Sequence, residues 1–404
     1  MKEFLKNYIN RPIYLDRVKP FMGKDLIKIF TGQRRTGKSY MLYQAEGLIR
    51  KEYPESKIIF IDKDIHDFDS IRDSDDLYEY IESQKTGDKL TFLLIDEVQE
   101  IEGFEKVLRS LIVKGGFDIW CTGSNASMLS GELATLLSGR YIEIKIHSLC
   151  YTEFLLFFNI EDSQESLLRF LKYGGLPYLI NLPQDERVIF DYLKSINSTV
   201  LLKDVVSRFQ IRNVSFLENL VKYLADITGS LVSAKSISDY LKSQRVTISS
   251  SVISNYLSYL VSAYYLNKVS RSDIRGKKIF EIGEKYFFED LGLRHALIGY
   301  NPLHINQMIE NCVFQHLNIQ GYKIYIGKSG VKEIDFIAER QGDKLYVQCA
   351  YLLSDEETRK REFGNLLEIK DNFPKMVISM DPMAGGMYEG IPHYHLRDFL
   401  KLFF

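Results

Sequence analysis

Between residues 26 and about 147, short β-branched apolar runs alternate with amphipathic stretches, a pattern that predicts a parallel α/β sheet. The runs lie at 26–30, 57–61, 91–95, 118–122 and 141–146. From 148 to 232 leucine, phenylalanine and tyrosine recur at helical spacing, with Tyr151, Phe154, Leu155 and Phe158 on one face. The stretch Tyr173-Gly174-Gly175-Leu176-Pro177 separates helices there. Residues 236–241 read as a short helix with Ile237 and Leu241 inward, broken at Ser243-Gln244-Arg245. A second helix begins near Ser249, its apolar set being Val252/Ile253, Tyr256/Leu257 and Leu260/Val261. Two strands, 265–269 and 278–282, then flank a charged turn from Arg271 to Lys277. Residues 305–400 again alternate strands and helices.

At 404 residues the chain has material for two or three domains with sizeable cores. Its 45% apolar and 26% charged residues are those of an ordinary globular protein. A net charge of −2 gives no whole-protein attraction to nucleic acid, so any such attraction has to be local. Cys121, Cys150, Cys312 and Cys349 are scattered and form no C-x-x-C pair, which argues against a disulfide framework or a cysteine zinc site. Residues 1–6 lack the apolar core of a signal peptide. No apolar run approaches the roughly 18 residues that span a bilayer. A soluble cytoplasmic protein, with no membrane partner, is the expectation.

The sharpest chemistry stands at 32–39, Gly32-Gln33-Arg34-Arg35-Thr36-Gly37-Lys38-Ser39, a complete G-x-x-x-x-G-K-S loop between a strand and a helix start. Such glycines let backbone N–H groups converge on phosphate oxygens, and the helix N-terminus adds a positive dipole end. Gly32, Gln33, Arg34, Arg35, Thr36, Gly37, Lys38, Ser39 and Tyr40 form the expected nucleotide-binding set. Lys38 would reach the β- and γ-phosphates and Ser39 would ligate Mg²⁺. The run Thr91–Ile95 ends in Asp96-Glu97, four apolar residues followed by two acids. Ligands of open α/β sheets gather at strand carboxyl ends, so Asp96 would orient Mg²⁺ and Glu97 would polarise the attacking water.

The fourth strand runs into Gly123-Ser124-Asn125. Ser124 and Asn125 are both candidates to hold the lytic water, with the N-cap of a following helix as the competing role for Asn125. That strand should neighbour the phosphate loop. Arg140, just before the fifth strand, is a candidate to stabilise transferring phosphoryl charge, in cis or from a neighbouring subunit; a surface arginine is the alternative.

GQRRTGKS, FLLIDEVQ, CTGSNASML and LLSGRYIEIKIHSLCYTEF, in this order, resemble the bacterial and archaeal AAA+-type ATPases that carry a winged helix and a PD-(D/E)XK nuclease-like C-terminal region. The resemblance implies an α/β fold with ATP as nucleotide, and the catalytic glutamate's strand beside the phosphate-loop strand. It divides the chain into an ATPase core (1–147), a helical lid (148–232), a winged helix (233–300) and a nuclease-like domain (301–404).

Between 235 and 278 eight basic residues (Lys235, Lys242, Arg245, Lys268, Arg271, Arg275, Lys277, Lys278) face two acids (Asp239, Asp273), a local net of +6. The bias suits DNA or RNA backbone contact, while docking of a protein partner or a second copy of the chain is the competing reading. In the last domain Glu310, Asp335 and Gln348 match the positions where such a nuclease gathers carboxylates on Mg²⁺. The position of its lysine is Ala350, which offers no charge to the phosphate. A scaffold used for binding is therefore preferred over cleavage, unless Lys332, Lys344 or another cation substitutes.

Overall fold

The structure, a computed structural model, describes residues 8–85, 89–126, 137, 139–273, 283–329, 332–353 and 355–403. Two compact units divide it: the chain up to His147 with Ser262–Tyr264, and Ser148–Val261 with Tyr265 onward.

In the first unit the five expected strands form: β1 (Ile27–Thr31), β2 (Lys57–Asp62), β3 (Thr91–Asp96), β4 (Phe117–Gly123) and β5 (Tyr141–Lys145). All pair in parallel, in the order β2-β3-β4-β1-β5. Their side chains alternate between two cores, because successive strand residues point to opposite faces. Ile27, Ile29, Leu93, Ile95, Ile119 and Cys121 enter one core; Phe30, Phe92, Leu94 and Trp120 enter the other. Helices α1 (Pro12–Val18) and α2 (Lys38–Glu52) cover the second core with Tyr14, Met41, Leu42 and Ile49. Helices α3 (Ser74–Gln84) and α4 (Phe104–Lys114) cover the first with Leu77, Ile81, Leu108 and Leu111.

The strand order corrects one expectation. The strand leading into Glu97, β3, is not beside the phosphate-loop strand β1, because β4 lies between them. Strands buried on both faces carry similar apolar runs, so the local pattern holds no information about which neighbour each one takes.

The second unit contains helices α5 (Tyr151–Phe158), α6 (Gln164–Tyr173), α7 (Glu186–Thr199), α8 (Val214–Asp226), α9 (Ala234–Ser243) and α10 (Ser250–Ser262). After α7 the chain continues as a π-helical segment, Val200–Ser207. Further on come α11 (Leu291–Ile298), α12 (Ile305–Ile319), α13 (Glu356–Leu367) and α14 (Leu396–Phe399). Its strands are β6 (Leu266–Asp273), β7 (Glu284–Phe288), β8 (Lys323–Ser329), β9 (Lys332–Arg340), β10 (Asp343–Cys349), β11 (Lys375–Ser379), β12 (Met387–Tyr388) and β13 (Ile391–His395). They form one mixed sheet in the order β12-β13-β11-β10-β9-β8-β6-β7.

The ribbon expected after the two short helices differs in register from the sequence reading. Residues 278–282 lie outside the described residues, and the partner of β6 is β7, paired antiparallel from Leu266↔Phe288 to Ser270↔Glu284. Tyr286, Phe287 and Phe288 are all buried in β7, which makes it the more strongly apolar run. The other edge of β6 pairs in parallel with β8, so the ribbon belongs to the C-terminal sheet, and the expected boundary at 300/301 cuts one sheet. Among the described residues no helix is long and apolar enough to cross a membrane.

Candidate nucleotide-binding site

The loop between β1 and α2 is shaped by backbone that only certain residues tolerate. Gly32 has φ +140, and a Cβ there would meet the Ile146 carbonyl oxygen at 2.1 Å, so no side chain fits. Gly37 at φ +97 caps α2, whose first residue is Lys38. Arg35 also takes a left-handed φ of +70, with an exposed side chain. Lys38 is buried; its Nζ donates to the Gln33 carbonyl at 3.1 Å and stands 4.0 Å from Glu97. Thr36 closes the turn by donating its hydroxyl to the same carbonyl at 2.9 Å. The Gln33 side chain is wholly buried, and its amide has no hydrogen-bond partner among the described residues. Tyr40, on the first turn of α2, is 53% exposed and meets the Tyr43 ring edge-on at 6.0 Å.

The two acids at the end of β3 have different surroundings. Asp96 is buried, hydrogen-bonded by the hydroxyls of Thr122 and Ser39. Burial outweighs those bonds, and its pKa is pushed up to about 6. Glu97 sits in the left-handed region at φ +49, with its amide donating to Thr122 Oγ1 at 2.8 Å. Burial alone would raise its pKa too, but the Lys38 ammonium, then Gln99, Arg34 and Ser124, hold it below the usual carboxylate value. Adjacent carboxylates therefore differ. Asp96 holds its proton to a higher pH than an ordinary carboxylate, whereas Glu97 is ionised beside an ammonium.

Of the two candidates after β4, the Ser124 hydroxyl reaches Glu97 and Gln99, while Asn125 is fully buried one residue on. Gln99 donates its amide to Glu97 and to Ser124. Thr122, Gln99, Tyr43 and Asp62 join the hydrogen bonds around the site, and the sequence reading did not name them. Tyr43 donates to Asp62 Oδ2 at 3.0 Å, and Asp62 stands level with Asp96 in the sheet. A polar residue closing an apolar strand, as at Asp62 and Thr122, was the available signal.

Arg140 is not at this site. It precedes β5, and β5 pairs with β1 from Ile27↔Tyr141, so Arg140 lies level with the start of β1 while the loop follows its end. Five residues of strand separate the two levels, roughly 16 Å at ~3.3 Å per residue, beyond the reach of an arginine. Action of Arg140 on its own chain's nucleotide is thereby corrected: a residue before a parallel strand belongs to the opposite edge of the sheet.

Arg11, which no motif marked, braces the loop from the N-terminal side. Its guanidinium is buried, with Nη1 donating to the Thr36 carbonyl at 2.9 Å and Nη2 to the His147 carbonyl at 3.0 Å.

Residues 24–155 match the family model described as an AAA domain, and residues 164–304 match one described as a domain of unknown function (DUF8612). An uncharacterized protein of Haemophilus influenzae is 37% identical over 402 residues, which is 98% of this chain and 99% of that one. The chain belongs to the AAA-type P-loop ATPase family. An uncharacterized protein of Methanocaldococcus jannaschii is 29% identical over 351 residues, covering 83% of this chain and 77% of its own. Among solved structures, the Walker-type ATPase PABY2304 of Pyrococcus abyssi aligns at 13% identity with a TM-score of 0.48, covering 72% of this chain and 96% of that chain.

In the second unit of this AAA-type ATPase, Glu310 (α12), Asp335 (β9) and Gln348 (β10) do come together. The Asp335 amide donates to Gln348 Oε1 at 3.4 Å, and Gln348 Nε2 donates to Glu362 at 3.0 Å. Lys285 enters the same cluster from β7, 3.1 Å from Glu310, 2.9 Å from Glu333 and 3.9 Å from Asp335. Burial, then the neighbouring Glu310, push Asp335 well above the usual carboxylate range. Ala350 is buried, and the two lysines considered as substitutes are engaged elsewhere: Lys332 with Glu368 at 2.6 Å and Lys344 with Glu339 at 2.8 Å.

Proposed function

We propose that this chain binds ATP with Mg²⁺ at the Gly32–Ser39 loop and hydrolyses it, coupling turnover to rearrangement of a nucleic-acid complex. The observation that carries the hydrolytic part is the ionised Glu97 carboxylate 4.0 Å from Lys38, beside an Asp96 held by Ser39 and Thr122. Ser39 and Asp96 are hard oxygen donors of the kind Mg²⁺ takes, so the residues fit the ion. When bound, Mg²⁺ supplies positive charge against the β- and γ-phosphate oxygens. Backbone amides of the loop and Lys38 bind the phosphates. Thr122 orients both acids through its hydroxyl, and Gln99 and Ser124 fix the direction in which Glu97 points. Glu97 then accepts the proton of the attacking water.

Glu97→Gln should retain ATP binding while abolishing phosphate release. Unchanged hydrolysis by that variant would remove Glu97 from its role. For the coupled part, the rate is measured alone and with duplex DNA, single-stranded DNA and RNA, and stimulation by one of them identifies the partner class.

Helices α9 and α10 with the β6–β7 ribbon supply the nucleic-acid surface in this reading, through exposed Lys235, Lys242 and Arg245. One observation favours a protein-docking switch instead. Lys242 already pairs with Asp239 at 3.5 Å, Lys268 with Glu284, and Arg271 with Glu333 at 3.9 Å, leaving less free charge than the sequence count. Arg275, Lys277 and Lys278 lie outside the described residues. Phosphate contact weakens steeply with salt, so salt-independent binding selects the docking reading. We read the C-terminal unit as a nuclease-like scaffold without cleavage, supported by Gln348 and Ala350 at the positions of an acid and a lysine.

A further inference from the structure

β7 and α12 meet through two matched pairs of residues. Lys285 and Phe287 are two apart on a strand and share a face; Glu310 and Phe314 are four apart on a helix and share another. Phe287 stacks on Phe314 with ring centroids 4.8 Å apart, and Lys285 donates to Glu310 at 3.1 Å. The aromatic pair fixes where the lysine stem runs, so the ammonium is delivered into the cluster by packing and not by charge alone.

At that point it meets oxygen from three directions. Glu310 comes from α12, and Glu333 and Asp335 from β9, at 3.1, 2.9 and 3.9 Å from Nζ. An ammonium has three N–H donors and no acceptor; it donates to Glu310 and Glu333 and stands as an ion pair beside Asp335. Carboxylates are also the hard oxygen donors that a divalent cation takes, yet with Lys285 between them these three form no metal-holding group among the described residues. Removing the positive charge would leave three acids facing one another, with the buried Asp335 least able to draw on water.

We infer that the Lys285 ammonium is a built-in cation, occupying a carboxylate site that would otherwise take a divalent metal ion such as Mg²⁺ or Mn²⁺. One positive charge of the chain's own thus offsets part of the cluster's negative charge, and β7 is fastened to α12 and β9 by ion pairs. The inference rests on the geometry around Nζ and is independent of the ATPase reading.

The test counts Mn²⁺ bound to the full-length protein without nucleotide, by the loss of the free-ion electron paramagnetic resonance signal. The wild type should bind no tight Mn²⁺. Lys285→Met keeps the apolar stem and removes the charge; it should bind about one Mn²⁺ per chain and melt at higher temperature when the ion is added. The double variant Lys285→Met/Asp335→Asn should lose that ion. A Lys285→Met protein that folds only with Mn²⁺ present also supports the inference. It is overturned if folded Lys285→Met binds no more Mn²⁺ than the wild type. A nucleotide-free wild type that itself takes up one Mn²⁺, lost on Asp335→Asn, overturns it equally, and this measurement stands even if the lysine variant fails to fold.

Discussion

Arg11 Nη1 donates to the carbonyl of Thr36 across 25 residues of chain, at 2.9 Å. The bond grips the phosphate loop from behind, at a carbonyl whose orientation sets the direction of the next amide. The same guanidinium holds the His147 carbonyl at 3.0 Å, so one planar group ties the loop to the end of the sheet. Arg11→Ala leaves two buried carbonyls short of a donor, and Arg11→Lys cannot reproduce the fork. Both variants should raise the KM for ATP, the alanine by about ten-fold or more, corresponding to ~1.4 kcal/mol or above. Fluorescent-nucleotide titration beside a melting curve checks it: a fall in stability with unchanged nucleotide affinity would make Arg11 a fold residue only.

Thr122 serves both acids at once, donating to Asp96 and accepting the Glu97 amide at 2.8 Å. Thr122→Val keeps the volume and removes the hydroxyl, leaving a buried amide unpaired. A cost of about 1–3 kcal/mol is typical of such a loss, equivalent to roughly a 5- to 150-fold fall in kcat where the bond acts in the transition state. Thr122→Ser should restore most of the rate. Steady-state kinetics of the two variants decide the matter, and a kcat for the valine variant equal to wild type would reject the orienting role.

Much of this site was legible because its chemistry is local. Gly32 to Ser39 and the pair Asp96-Glu97 are contiguous, and each follows an apolar strand recognisable by its own composition. Arg11, Thr122 and Lys285 were not legible, since each gains its role from a partner more than twenty residues away: Thr36, Asp96 and Glu310 respectively. The error over Arg140 is instructive in a different way. Its place at the opposite edge of the sheet follows from parallel pairing alone, which the alternating pattern already implied. The β6–β7 ribbon shows a third kind of limit, because membership in a sheet depends on the far edge of β6, paired with β8, and nothing near β6 in sequence encodes β8.

Asp96 should make the nucleotide-free protein less stable as pH rises. Its folded pKa of about 6 lies above the usual carboxylate value of 3.8, so the folded state holds the proton where the unfolded state has released it. The stability from protonation is fully present below about pH 4 and is lost as pH passes about 6, by up to about 3 kcal/mol. Asp96→Asn mimics the protonated group and lacks this slope. Urea melts at pH 4.5 and pH 7 should show the variant gaining on the wild type as pH rises; other raised carboxylates, such as Glu310, are common to both proteins and cancel. A constant difference between the two proteins would mean that Asp96 is ionised throughout. Because the ion requires the carboxylate form, apparent Mg²⁺ affinity in the presence of ATP should also fall as pH drops through about 6.

Lys28 and Asp118 form a buried ion pair between β1 and β4, 2.8 Å apart with side chains 0% and 1% exposed. Burial, the largest influence on each, lowers the pKa of Lys28 and raises that of Asp118, opposed in both by the partner's charge. Neighbouring bonds complete the set: Lys28 donates to the Lys24 carbonyl at 2.9 Å, and Asp118 accepts from the Gly23 amide. Removing one member leaves the other charge buried without its counter-ion, so Asp118→Ala or Lys28→Ala should cost about 3–5 kcal/mol. Replacing both with apolar residues, Lys28→Met with Asp118→Leu, should recover most of that, because the desolvation cost of both charges disappears together. Denaturant melts of Lys28→Met, Asp118→Leu and the double variant that combines them form the cycle that tests it. Additive losses in the double variant would show that the two charges do not depend on each other, and that Lys24 and Gly23 hold them separately.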